Sequence, residues 1–394
     1  MANALYILVY LSIIYFNRYQ GCKMTAKTAS AREENYIFRA LYLIAILFVV
    51  DGHTTLADMF DLGGLFRYYS FHLMLFAFGA GYFFRMHGSV LKDIAMRAKR
   101  LLLPLYIWNI VYGVGAMLLR RVGGFEIGEA LSPYTLLIAP LVHGEQFVWN
   151  LGSWFVFPLF LSQVIYSLVR RAAKYWKDNE TITFILCLIL GGAAVQLCFS
   201  GKQATLPLFL LRTLILLPGY AGGQFYRRKL EKLDTMKTLP YLTIIVVLRA
   251  LLCIRYENLA YLLSNCSYFV CDAFGVYFGG ALAIAFYLRI ARLLAPHVKK
   301  SRLALYASRH TFDIMMHHYM GFFALNSVFL IINALGLGAA DFSVKTMRTN
   351  AAYNYAPGGR MEWNILYLLA GMLVPLLIAR ILEWAKTCIK KRTK

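Results

Sequence analysis

The residues of this chain best suited to chemistry are ionisable groups set within long apolar runs. Asp51 and His53 close one run, His72 opens the next, Asp272 sits in another, and Asp313, His317 and His318 share a late one. Titratable groups at bilayer depth are expensive, so each is a candidate site, to be weighed against a plain role in bonding one helix to another. His53 stands out in Phe48-Val49-Val50-Asp51-Gly52-His53-Thr54. Imidazole is the side chain best matched to proton transfer near neutral pH, and the preceding glycine lets another helix approach closely. On one helix Arg39 would lie roughly 21 Å before His53 and nearly on its face, placing a cation near one membrane surface and a base toward the other. Asp51 would be turned about 200° from His53, so it makes a poor orienting partner. Asp313 and His317, four apart on one face, are the pair expected to supply it.

A second pattern is Arg97-Ala98-Lys99-Arg100 ahead of Pro104. Two arginines three apart on a helix can grip one phosphate group, although a basic loop also serves to set topology. The seven cysteines show no CxxC or Cys/His ligand spacing and read as small buried hydrophobes, so no metal site is expected. No Walker, GxGxxG, HExxH or GxSxG pattern offers a competing chemistry.

The elements that must position these groups follow from composition. The chain has 394 residues, of which 60% are hydrophobic and only 15% charged, where soluble domains carry about 25% charge. Apolar runs near the roughly 20 residues needed to cross a bilayer recur at 36–57, 69–84, 101–119, 151–169, 181–199, 205–226, 239–255, 265–288, 310–335 and 361–385. The expected fold is therefore all-α, a polytopic membrane protein of about ten transmembrane helices. The short run at 4–17 reads as an eleventh span, an interfacial helix, or sequence upstream of a true start at Met24. It lacks the small-residue pattern of a cleaved signal. The organisation is a leader at 1–35 with its basic segment, one integral domain at 36–385 and a basic tail at 386–394.

The 41 Lys and Arg against 19 Asp and Glu give a net charge of +22, which in a soluble chain would raise nucleic-acid binding. Their distribution gives another reason. Loop by loop the basic residues alternate between many and few, 31 on one side and 8 on the other, with Arg212 and Arg249 inside spans. Under the positive-inside rule the leader and the C-terminus are cytoplasmic, the protein sits in the plasma membrane, and no nucleic-acid partner is needed.

Four landmarks, in order, carry a resemblance: Val49-Val50-Asp51-Gly52-His53, Phe71-His72-Leu73-Met74-Leu75-Phe76-Ala77-Phe78-Gly79-Ala80-Gly81-Tyr82-Phe83, Arg97-x-x-Arg100 before Pro104, and Ser153-Trp154-Phe155-Val156. Ser308 to His317 on a late span adds a fifth. Over nearly all of 36–385 the chain resembles the acyltransferase 3 family of integral-membrane acyltransferases, in the branch of sugar O-acetylases of capsule and O-antigen, such as the fucose 4-O-acetylase type. The resemblance implies acetyl-CoA as cytoplasmic donor and a saccharide or lipid-linked saccharide hydroxyl as acceptor. It implies that His53 is the essential span 1 histidine and that Arg97 and Arg100 contact the CoA phosphates. Two departures stand out. The family usually has Arg where this chain has Tyr42, leaving Arg39 one turn earlier as the substitute, and Leu73-Met74 replaces a common Pro.

The expected mechanism uses His53 as general base, Arg39 on the donor or the oxyanion, Arg97 and Arg100 on the donor, and Asp313 and His317 behind them. A covalent acetyl-His and direct transfer both remain open. So does another class, a transporter or flippase for a saccharide or lipid-linked intermediate, although no internal repeat or matched pair of broken spans points to it. A structural partner in polysaccharide export is the third reading.

Overall fold

The computed structural model describes residues 34–54 and 61–392. The run at 4–17 and most of the leader lie outside the described residues. Among those described there are fourteen α-helices: α1 Tyr36–Asp51, α2 His72–Tyr82, α3 Val90–Gly123, α4 Pro133–Leu137, α5 Ala139–Val142, α6 Val156–Ala172, α7 Asn179–Phe199, α8 Leu208–Phe225, α9 Thr238–Tyr256, α10 Ala273–Lys300, α11 Arg302–Arg309, α12 Thr311–Ala334, α13 Val344–Thr349 and α14 Asn364–Arg392. The one sheet among them is a small antiparallel hairpin, Tyr261–Leu262 (β1) with Tyr268–Phe269 (β2).

Each expected apolar run contains one helix, but the helices do not all cross the membrane in the same way. Among the described residues, eight segments are long and apolar enough to span, built on α3, α6 to α10, α12 and α14. The remaining two, α1 and α2, have 16 and 11 residues, about 24 and 16 Å at 1.5 Å per residue, against a hydrocarbon core of about 30 Å. Both are packed inside the protein: α1 against α10, α2, α11 and α12, and α2 against α8. Non-helical backbone at membrane depth is tolerated only where protein or a cavity surrounds it, and Thr54, Phe66, Tyr68 and Ser70, described residues between these two helices, are buried. The outer helices show the complementary face. On α9, Leu239 is 77% and Ile254 79% exposed, as lipid-facing side chains should be.

The local causes are readable. Asn35 caps α1 by accepting from Phe38 N at 3.2 Å. Ser89 opens α3, which closes on Gly124 at φ +63° in the left-handed region. The expected span at 265–288 begins instead at Ala273, because the hairpin occupies 261–269 and Asp272 is the cap of α10. Its carboxylate accepts from Gly275 N at 3.0 Å and from Tyr256 Oη at 2.9 Å. Asp272 is thus the N-cap of α10. A close crossing joins α2 to α8: a Cβ on Gly81 would meet the Tyr220 carbonyl, and one on Gly223 the Phe78 carbonyl. Small residues there let the two backbones touch, the usual means of helix association in lipid.

Two buried arginines hold the irregular segments. Arg249 on α9, 1% exposed, donates to the carbonyls of Leu65 (2.9 Å) and Gly279 (2.6 Å) and to Ser70 Oγ, fixing the approach to α2. Arg212 on α8 donates to His143 O at 2.8 Å and to the Ser264 carbonyl, pairs with Glu145 at 3.3 Å and lies 4.6 Å over the Trp154 ring. These are the two cations the charge count placed inside spans.

Candidate active site

His53 lies just beyond α1, not on it. The helix ends at Asp51, and His53 N donates to Val50 O at 3.1 Å in the tight turn that follows. His53 thus follows the helix rather than lying on it, while Gly52 keeps right-handed helical angles (φ −62°, ψ −15°). A Cβ at Gly52 would stand 2.9 Å from the Tyr68 ring, so this turn needs glycine.

The turn delivers the His53 imidazole to a cavity of about 110 Å³, whose walls include Tyr69, His72, Phe76, Trp154 and Tyr261. Nδ1 of His53 lies 2.9 Å from Tyr319 Oη on α12. Nε2 has no hydrogen-bond partner among the described residues. The ring stacks on His318, centroids 5.1 Å apart and 22° between planes, and its backbone carbonyl accepts from Asn354 Nδ2 at 3.1 Å. Tyr69 Oη donates to Gly52 O at 2.8 Å, so the turn is held from several sides. His318 is itself held, with Nδ1 donating to Met315 O at 2.9 Å.

The partner expected for His53 differs from the one found. His317 points the other way, its Nδ1 2.7 Å from Tyr112 Oη and its ring 4.2 Å from Trp108. Asp313 pairs with His310 at 2.7 Å, and His310 also approaches Glu383 at 3.5 Å. The physical reason is angular: residues 317 and 319 differ by about 200° around a helix, so the face that meets His53 carries Tyr319. Nothing in the bare spacing of α12 says which face that is.

The arginine pair also separates. Arg97 is 8% exposed and engaged on several sides, with Asp93 at 3.0 Å, Gln163 Oε1 at 3.0 Å and Arg85 O at 2.9 Å. Asp93 further accepts from Ser167 Oγ at 2.6 Å and meets His87 at 3.0 Å. Arg97 is the hub of a buried network joining α3 to α6, whereas Arg100 is exposed. Arg39 is partly exposed, pairs with Glu34 at 2.6 Å and donates to Ser308 O at 3.2 Å; Arg309 grips the same carboxylate at 2.6 Å. Arg309 hydrogen-bonded to it, and the charge of Arg39 beside it, hold the Glu34 carboxyl below its usual 4.5 against the opposing effect of burial.

Tyr42, at the position of the family's usual arginine, lies between these groups and the cavity. Its ring stacks on the cavity-lining Phe76 with centroids 6.1 Å apart and lies against Gly79 of α2. Among the described residues no group of three His, Cys, Asp or Glu could hold a metal ion.

Comparison with known proteins agrees with the architecture. No curated protein and no solved structure matched the chain. A family model described as an acyltransferase domain does match, over residues 36–384, from the first residue of α1 to the last turns of α14. With that model covering nearly the whole integral region, the chain belongs to the acyltransferase 3 family.

Proposed function

We propose that this membrane acyltransferase moves an acetyl group from cytoplasmic acetyl-CoA to a hydroxyl of a cell-surface saccharide, free or lipid-linked, with His53 as general base. The observation that carries the reading is the His53 imidazole itself: Nδ1 on Tyr319, Nε2 unpartnered among the described residues, ring in the cavity wall. When Nδ1–H donates to the tyrosine oxygen, Nε2 keeps its lone pair for the cavity. It then takes the acceptor's proton as the hydroxyl oxygen attacks the thioester carbonyl. The carbon–sulfur bond breaks, and the imidazolium returns the proton to the leaving thiolate. The thioester is already activated, so positioning and a base supply most of what the reaction needs.

The donor's phosphates call for cations, and Arg100 and Arg39 at the Tyr42 end supply them, with Arg97 holding the helix that presents Arg100. Asp313 and His317 act at a distance by fixing α12, which carries Tyr319. In this reading the C-terminus is cytoplasmic and the enzyme lies in the plasma membrane, and the alternation of loop charges supports that orientation. Aromatic walls such as Trp154 and Tyr261 suit a sugar ring.

The test is acetyl transfer by purified protein and acetylation of total surface polysaccharide in cells carrying wild type, His53→Ala or no copy. An increment of about 42 daltons per acetyl group that depends on wild type, with thiol release from acetyl-CoA lost in His53→Ala, supports the reading. Full transfer in His53→Ala sinks the base assignment. Polysaccharide that disappears altogether without the protein moves export or flipping ahead.

A further inference from the structure

The cavity contains a second imidazole that the mechanism above leaves without a role. His72 is the first residue of α2, and its Nδ1 lies 2.6 Å from the backbone carbonyl of Tyr68. A carbonyl only accepts, so Nδ1 carries the hydrogen and Nε2 of the neutral ring is a lone pair. This differs from His53, whose tyrosine partner both donates and accepts and so permits either tautomer. The His72 ring is also fixed in place, meeting Tyr68 and Tyr69 edge-on with centroids 5.8 and 5.6 Å away. It lines the same cavity as His53, and its Nε2 has no hydrogen-bond partner among the described residues. Tyr69 links the two, with its ring against His72 and its hydroxyl on the carbonyl of the residue before His53.

The rest of the wall gives this lone pair its meaning. Most of it is aliphatic or aromatic, and the Tyr69 hydroxyl hydrogen is already donated to Gly52. A saccharide entering here brings several hydroxyl hydrogens. His53 takes the one on the reacting oxygen, and any other left unpaired against an apolar wall weakens binding. His72 Nε2 is a fixed acceptor for one of them.

Resting on the acetyl-transfer reading, we propose that His72 is a second acceptor-binding residue. It takes a hydrogen bond from a hydroxyl near the one His53 deprotonates, so the acceptor is a polyhydroxylated ring and His72 helps select which oxygen is acetylated. An acceptor with a single hydroxyl would gain nothing from it.

Two substitutions separate this role from packing. His72→Asn retains a side-chain N–H at the Nδ1 position for the Tyr68 carbonyl and deletes Nε2. His72→Gln reaches the Nε2 position with an oxygen acceptor. Wild type and both variants are compared for thermal stability, for binding of acetyl-CoA, and for the amount and ring position of acetyl on the surface polysaccharide of expressing cells. The expected result is a loss of acetyl incorporation of about tenfold or more in His72→Asn, or a shift in ring position, with donor binding and melting temperature unchanged and partial recovery in His72→Gln. Wild-type amount and position of acetyl in His72→Asn overturns the proposal. So does a loss that falls together with donor binding and melting temperature, which marks a structural role. Wild type that binds no acetyl-CoA defeats instead the acetyl-transfer reading on which this one rests.

Discussion

Replacing Tyr319 by Phe removes one oxygen and tests the dyad directly. The hydroxyl lies 2.9 Å from His53 Nδ1, and the tyrosine is 1% exposed. The ring that remains keeps its packing on His318 and Phe322, at centroid separations of 4.6 and 5.4 Å. Tyr319→Phe therefore leaves Nδ1 without its partner where little water can reach it. An unmade buried hydrogen bond costs about 1–3 kcal/mol. Because that partner holds the ring in its reactive orientation, the cost falls on the transition state as a loss of roughly 5- to 150-fold in kcat/KM. The assay is thiol release from acetyl-CoA by purified protein beside a melting curve of the same sample. A double substitution sharpens it: with His53→Ala already present, Tyr319→Phe should cost nothing more, because the two residues act as a unit. Wild-type kcat/KM in Tyr319→Phe would refute the dyad, as would additive losses in the double variant.

The two arginines of the basic motif should part in behaviour. Arg97→Ala breaks a buried pair and is expected to destabilise the fold by about 3–5 kcal/mol, read as lost yield and melting temperature, whereas Arg100→Ala should raise KM for acetyl-CoA and leave melting unchanged. Glu34 should make the junction of α1 and α11 acid-sensitive. Its carboxyl is held below the usual value in the folded state, so its contribution is present above about pH 4.5 and lost as pH falls through the lowered value. Hydrogen exchange at residues 36–39 in wild type should then approach that of Glu34→Gln in acid and differ from it near neutrality; equal exchange at both would refute the clamp. Gly81→Ala pushes a methyl into the Tyr220 carbonyl and should cost about 1–3 kcal/mol, while Ala at the open Gly115 should be well tolerated by comparison. A reporter fused after Lys237 should read as cytoplasmic and one after Lys202 as external, and the reverse would overturn the assigned orientation.

Local pattern determined much of this protein. Long apolar runs require helices, because an unbonded backbone is untenable in lipid, and so the all-α membrane fold and the place of each of its ten principal helices were legible in composition and length. His53 could be singled out as a candidate too, since a titratable group follows Gly52 at the end of an apolar run. Tertiary structure decided the rest. Where a helix stops inside its apolar run depends on what surrounds it, so α1 and α2, of 16 and 11 residues, are packed inside the others and His53 lies just past the end of α1. Which of Tyr319 and His317 meets His53 depends on how α12 is rotated against its neighbours, and spacing along a single helix carries no such information. Arg97 and Arg100 look alike in sequence and differ because Asp93, Gln163 and the Arg85 carbonyl converge on only one of them. Sequence periodicity records which side chains share a face, but only packing sets what that face meets.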